Sequence, residues 1–307
     1  MARSLRLAEP AIGGAAPAAG RMHQRAAGHP SLATVACPLG AQIRVATIRP
    51  ASQDRSVATI PDTAERRLLR ERMFDPLSQR ILVGIGVADR WRCLDAGAGR
   101  GSIAAWLARQ VEPTGHVVAV DMDTELLHTV RDVSFERFRH DLTTDGPVGR
   151  DFDLVHCRFV LEHLPERERV LDELIDQLRP GGWIVVQDAD FSPTALADSK
   201  PYARAMAAFD AAMAARGTDY AWTRQLPARL AARQLAELEA TAETTWFPSG
   251  SDHARFWASN LVVMRDRMID TGLMDERAHG QVIDELLHGG QWLPGIAVLA
   301  ARGRRPS

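Results

Sequence analysis

The spacing of apolar residues divides the chain into stretches with different rhythms. Residues 1–56 show no sustained apolar period. From residue 61, Leu68, Leu69, Met73 and Phe74 fall on one helical face. Asp62 can cap that helix. Pro76 interrupts the pattern, and Leu77, Ile81 and Leu82 continue it, which predicts helices here rather than strands. From Trp91 short apolar runs alternate with amphipathic segments. Strands are predicted over 92–95, 116–121, 135–139, 152–157 and 183–187, with helices over 102–110, 124–131 and 166–178 between them. Such alternation predicts a parallel sheet with helices on both faces. Pro180-Gly181-Gly182 is a turn signal before the fifth strand.

After Asp190 the rhythm changes. An Ala-rich helix is predicted over 201–216, ended by Gly217, and another over 227–237. A strand follows at 239–246, then helices at 253–271 and 276–287, and a last strand at 296–301. The stretch 191–236 interrupts the sheet, so it is expected to lie over one end as a helical cap. The expected architecture is α/β: a doubly wound, mostly parallel seven-stranded sheet with N-terminal helices and that cap, spanning residues 57–307. Residues 1–56 are rich in Ala, Gly, Pro and Arg, with Glu9 and Asp54 as their only acids. They are expected to be a mostly disordered extension, dispensable or the product of a misassigned start codon.

Composition narrows the function classes. Net charge is -2, so no global basic field draws in nucleic acid. No apolar run approaches the roughly 18 residues of a membrane span. The three cysteines, Cys37, Cys93 and Cys157, are far apart, which disfavours a disulfide framework or a cysteine zinc site and suits a reducing cytoplasm. Lys200 is the only lysine. Arginines spread along the whole chain fit codon bias better than a binding site.

The chemistry concentrates where the first strand turns into a helix, at Asp95-Ala96-Gly97-Ala98-Gly99-Arg100-Gly101. Glycines there let the backbone approach a ligand, and the following helix presents free N–H groups. Dinucleotide-binding folds place glycines at the same point. Here Asp95 precedes them, and a carboxylate suits an ammonium and a sulfonium better than a pyrophosphate. Asp121 ends the second strand, where it can accept both ribose hydroxyls, and Met122 can pack on adenine. Asp141 follows the third strand, where it can accept an adenine amino group. Three carboxylates at consecutive strand ends favour one ligand site there.

This constellation resembles the class I S-adenosylmethionine-dependent methyltransferases over about residues 62–303, nearest to small-molecule enzymes related to the ubiquinone/menaquinone-biosynthesis C-methyltransferases. Phe152-Asp153-Leu154-Val155 and Leu178-Arg179-Pro180-Gly181-Gly182 are similar to the family's fourth strand and the turn before its fifth. The resemblance implies S-adenosyl-L-methionine as cofactor in a Rossmann-like methyltransferase fold. It implies that Asp95, Gly97 and Gly99 line the methionine part, with Arg100 and Gly101 in the same loop. Asp121 would bind ribose, and Asp141 with Leu142 would frame adenine. After the fourth strand stand His156-Cys157-Arg158-Phe159, not the Asn/Asp-Pro-Pro-Tyr/Phe tetrad of base and glutamine N-methyltransferases. His156 and Arg158 are poor magnesium partners, so no catalytic metal is expected.

The expected activity is methyl transfer to oxygen, nitrogen or carbon of a small, hydrophobic acceptor. A homodimer is an oligomeric state the sequence leaves open. Candidates for the acceptor side are His156, His163, Asp188, Asp190, Tyr220 and His253, with Arg158 binding the cofactor carboxylate or an acidic acceptor, or pairing with Glu162. Tyr220 and Trp222 can stack on an aromatic acceptor or belong to the core. Met206, Phe209 and Met213 form a core stripe or an apolar pocket wall. Rival readings are non-methylating chemistry on the same fold, such as cyclisation; a non-catalytic binding protein; a nicotinamide-dependent oxidoreductase; and an RNA-modifying enzyme.

Overall fold

The computed structural model describes residues 34–36, 42–44, 63–127 and 133–307. The extension predicted over 1–56 therefore lies outside the described residues, apart from an antiparallel ladder of Thr34–Ala36 with Gln42–Arg44. Likewise 128–132, the end of the helix predicted over 124–131, is outside them.

Seven strands form one sheet: β1 (Arg92–Ala96), β2 (His116–Asp121), β3 (Glu136–Arg139), β4 (Phe152–Arg158), β5 (Leu178–Asp190), β6 (Ala236–Pro248) and β7 (Trp292–Arg304). Their order is β3-β2-β1-β4-β5-β7-β6. Strands β1 to β5 pair in parallel, and β7 runs antiparallel between β5 and β6. The apolar runs read as strands because both faces are covered. On β1, Leu94 and Ala96 join one core with Val155 and Val186, while Cys93 joins the other with Leu154 and Val185. The order reverses between β1 and β4. That switch point leaves a crevice beyond the carboxyl ends of the two strands.

The helices among the described residues are α1 (Thr63–Gly84), α2 (Ser102–Val111), α3 (Thr124–Leu127), α4 (Arg167–Asp176), α5 (Lys200–Ala214), α6 (Tyr220–Thr223), α7 (Leu226–Ala232), α8 (Asp252–Asp270) and α9 (Glu276–His288). The first corrects the expectation of an interruption at Pro76: α1 runs unbroken through it. Arg158, at the end of β4, explains why the helix survives. Its guanidinium donates to Asp75 at 2.7 Å and to Ser78 at 2.9 Å, tying down both sides of the proline.

The predicted cap over 191–236 also needs redrawing. Helix α5 packs with α8 and α9 around Tyr202, Phe209, Trp257 and Leu286. Trp222, Leu226 and Leu230 of α6 and α7 pack instead on the sheet with Leu171 and Leu174 of α4. The cap is thus built from two separate sequence segments, one before β6 and one after it. Helix α7 stops at Ala232, short of the predicted 237. Gln234 adopts a left-handed φ of 58°, and Arg233 is anchored to Glu168 on α4 at 3.0 Å, so the chain turns into β6. Strand β5 is longer than predicted at both ends because β7 pairs with it through Asp190 and β4 through Leu178.

Candidate functional site

The glycine loop lies at the switch point. Gly97, Gly99 and Gly101 all have positive φ. The amides of Gly97 and Ala98 donate to the Val120 carbonyl at 2.9 and 3.0 Å, which pins the loop to β2. A Cβ on Gly97 would sit 2.2 Å from Val160 Cγ2, just past β4. Two strand-end loops therefore touch, and only glycine fits between them. Helix α2 starts at Gly101 with no side chain capping it, so its first N–H groups remain available.

The carboxylates predicted here separate into different roles. Asp121 accepts from the Gly99 amide at 2.8 Å and from the Asp123 amide at 3.0 Å, so it orders the loop from the neighbouring strand. Met122 beside it is 55% exposed. Asp141 takes the Thr143 amide at 2.8 Å and the Thr143 hydroxyl at 2.6 Å, which hold its carboxyl below the usual range. Leu142 packs against the core. Asp95 is 3% exposed. One of its oxygens bonds His156 Nδ1 at 2.7 Å, and His156 Nε2 lies 3.1 Å from Gln187 Oε1. The other oxygen, Oδ2, is buried without a partner. His156 is 1% exposed in this row across β1, β4 and β5, so it orients Asp95 and does not face an acceptor. Arg100 pairs with Glu71 of α1 at 3.0 Å.

Asp121→Ala should free the Gly99 and Asp123 amides and loosen the loop. The expected loss is about 1–2 kcal/mol of unfolding free energy, measured by urea denaturation.

Beside the loop opens a cavity of about 500 Å³. Phe74, Phe159, Phe191, Tyr220 and Trp257 wall it with His163, and Arg70, also in the wall, comes within 3.2 Å of the Cβ position of Gly99 in the loop. Phe159 holds a left-handed φ of 56° with its amide on the Gln187 carbonyl, and its ring stands edge-on to Phe74 at 5.0 Å. Tyr220 is edge-on to His163 at 6.1 Å. His163 bonds Thr218 through Nδ1 at 3.0 Å and approaches Glu162 through Nε2 at 3.2 Å. Burial, helped by Arg70, pushes its pKa down to about 4, so the ring is neutral at pH 7. Met213 and Phe209 also line the cavity, whereas Met206 lies in the cap core.

Asp188 is fully buried. It accepts the Val160 amide at 3.1 Å and the Glu162 amide at 3.2 Å, fixing the turn after β4 rather than reaching the cavity. Glu162 accepts the Ala189 amide. Burial raises both acids, Asp188 to about 7, and the charge of Asp188 raises Glu162 further, so the pair titrates together. Asp190 binds Arg224 at 2.8 Å on the other side of Tyr220. Trp222 is core and donates to Glu168 at 2.7 Å. His253 stacks on Phe247 and lines a different cavity, of about 420 Å³, under α1. Arg158 is occupied by Asp75 and Ser78 rather than Glu162.

Pattern reading offered Tyr220, Phe209 and Met213 for an acceptor pocket, and missed the cavity's arginines, its other aromatic residues Phe74, Phe159, Phe191 and Trp257, and the Glu162–Asp188 pair. Of the missed residues only Arg66, Arg67 and Arg70, which recur within two turns of α1, left a trace in the sequence. The rest are brought together from distant segments.

A profile of a methyltransferase domain family matches residues 59–241, which include the loop, the switch point and the acid pair. The chain belongs to this methyltransferase family. Among similar proteins, methyltransferase str3 of Strobilurus tenacellus is 37% identical over 101 residues, 33% of this chain and 36% of that protein. Trans-aconitate 2-methyltransferase of Mycobacterium tuberculosis is 30% identical over 144 residues, 45% of this chain and 53% of that one. The chain thus spans between about a third and a half of these relatives' lengths. Phosphoethanolamine N-methyltransferase 2 of Haemonchus contortus, solved with phosphomonomethylethanolamine and S-adenosylhomocysteine, superposes with a TM-score of 0.46 at 14% identity, covering 80% of this chain and 53% of that one. Among the described residues of this methyltransferase-family chain, no helix is long and apolar enough to cross a membrane.

Proposed function

We propose that this chain is an S-adenosylmethionine-dependent methyltransferase acting on a small molecule held in the aromatic cavity. The observation that carries the reading is the glycine cradle at the switch point, ordered by Asp121 and opening beside that cavity. The residues fit the cofactor. The left-handed glycines add no Cβ to the loop, the uncapped start of α2 offers N–H donors, and Asp95 Oδ2 is a buried acceptor without a partner. In this reading Gly97, Gly99 and Asp95 lie along the methionine part. Asp121 exchanges a backbone amide for ribose hydroxyls, and Met122, Asp141 and Leu142 frame adenine. Arg158 acts by holding α1 in place.

The cofactor, when bound, supplies an electrophilic methyl group on a sulfonium. The chain then has to orient the acceptor and exclude water. Phe74, Phe159, Tyr220 and Trp257 do both by walling the cavity. His163 is held neutral and engaged at both ring nitrogens, so it serves first to orient the wall beside the loop. The buried free thiols of Cys93 and Cys157 suit the reducing cytoplasm proposed for the enzyme.

Calorimetric titration tests the reading. S-adenosylmethionine should bind the parent chain and not Gly99→Arg, and NADH should bind neither. A folded parent that ignores S-adenosylmethionine would sink it.

A further inference from the structure

The acceptor cavity carries a charge pattern that methyl transfer alone does not require. Five arginines line it: Arg66, Arg67 and Arg70 from α1, Arg216 just after α5, and Arg267 from α8. Three separate elements thus bring arginines to the lining of one space, and the Arg70 guanidinium reaches within 3.2 Å of the Cβ position of Gly99. Elsewhere arginines are widely paired with acids: Arg72 with Asp252, Arg158 with Asp75, Arg167 with Asp219, Arg224 with Asp190. Among the described residues the side chains of these five have no hydrogen bond or ion pair. Arg70 feels Glu71 and Asp121, but Glu71 is held by Arg100 and Asp121 by two backbone amides. The like charges also crowd one another: Arg67 opposes the charge on Arg66, and Arg158 and Arg67 oppose that on Arg70.

One acid lines the cavity among the described residues, Glu162, and it is 2% exposed. Its carboxyl is turned to the Ala189 amide and to His163. It therefore does not neutralise the cluster. His163 adds no charge of its own. The cavity has an apolar, ring-lined body and an uncompensated cationic rim.

We infer that the acceptor is a small molecule with an apolar, ring-sized body and at least one carboxylate, the body packing on the aromatic wall and the carboxylate held by these arginines. A guanidinium fork matches a carboxylate with two parallel hydrogen bonds. A phosphate head can take the same fork, but the other parts of a phosphate site are missing here. Phosphate sites draw on backbone nests, helix N-termini and hydroxyls. Among the described residues no serine or threonine lines this cavity, and the helical arginines here offer side chains only. The inference rests on the proposed function in one respect: it treats the cavity as the acceptor site.

The test uses the full chain with S-adenosylhomocysteine at saturation and two probes of equal shape, 2-naphthoate and its neutral amide, 2-naphthamide. Calorimetry should show naphthoate binding at least tenfold more tightly, with the preference shrinking as salt rises. Arg67→Gln/Arg267→Gln removes two guanidiniums from half-buried and exposed positions on separate helices. It should lose at least tenfold in naphthoate affinity while naphthamide affinity, S-adenosylhomocysteine affinity and the circular dichroism spectrum stay unchanged. Equal binding of the two probes, or no loss in a folded double variant, would overturn the inference. The failures are separable. Naphthoate preference in a chain that ignores S-adenosylhomocysteine would overturn the cofactor reading and leave an anion-selective cavity. Cofactor binding without the preference would overturn only the carboxylate acceptor.

Discussion

Gly97→Ala should destabilise the chain by about 2–5 kcal/mol and weaken S-adenosylhomocysteine binding at least tenfold. Two causes add. At φ 72° any residue with a Cβ pays about 1–2 kcal/mol for the left-handed conformation. The new methyl would also lie 2.2 Å from Val160 Cγ2, and relieving such overpacking costs about 1–3 kcal/mol. Val160 has little freedom to yield, since its amide is fixed by Asp188 at 3.1 Å. The loop must move instead, which drags the Gly97 and Ala98 amides off Val120. Gly86→Ala is the matched control. Its φ is 79°, yet nothing lies within 4 Å of its Cβ position. It should lose only the conformational part, about 1–2 kcal/mol, and bind normally. Urea denaturation and calorimetry on both variants read the difference. Equal losses would mean that contact between the β1 and β4 loops does not shape the site.

The Glu162–Asp188 pair predicts how stability depends on pH. Both carboxyls are raised by burial, Asp188 to about 7, whereas unfolded carboxyls titrate near 4. The folded chain therefore holds protons that the unfolded chain has released, and stability falls as pH rises. His163 and His253 work in the opposite direction. Both are pushed down to about 4 by burial, so their contribution grows from about pH 4 to pH 6.5 and is complete above it. The histidines act alike in the parent and in a variant of the pair, so the difference between the two reads the acid pair between pH 5 and 7, above the unfolded carboxyl values and up to the folded value of Asp188. One proton retained across that window is worth about 1.4 kcal/mol per pH unit. Glu162→Gln keeps a carbonyl for the Ala189 amide and an N–H₂ for His163 Nε2, but it cannot ionise. The variant should lose at least about 1 kcal/mol less stability than the parent between pH 5 and 7. Denaturation curves at several pH values check this. Parallel profiles for parent and variant would show that the pair does not hold a proton in the folded chain.

The two predictions meet at one place. Asp188 holds the turn carrying Val160, and Val160 closes over Gly97. A charge added to the acid pair is therefore expected to reach the cofactor loop through backbone hydrogen bonds. The same turn carries Phe159, whose left-handed backbone aims its ring into the cavity.

Local pattern by itself determined the order of strands and helices, because alternating apolar runs and amphipathic segments depend only on near neighbours. It also placed the glycine loop and the strand-end carboxylates Asp121 and Asp141, since a turn from strand to helix carries its own residue requirements. Tertiary structure decided what those residues touch. Asp95 looked like a ligand group and is half spent on His156, because parallel register sets the two side by side. His156 and Asp188 looked like catalytic candidates and are walled in by neighbouring strands. Pro76 looked like a break and is bridged by Arg158, which is 82 residues away and acts through Asp75 and Ser78. The cap needed α8 and α9 from beyond β6. The cationic cavity was the least legible feature. Arginines scattered over some 200 residues read as composition until folding brought five of them to one rim. Periodicity reports which face of an element is buried, but the charge of a cavity is a sum over elements that the chain unites only when it folds.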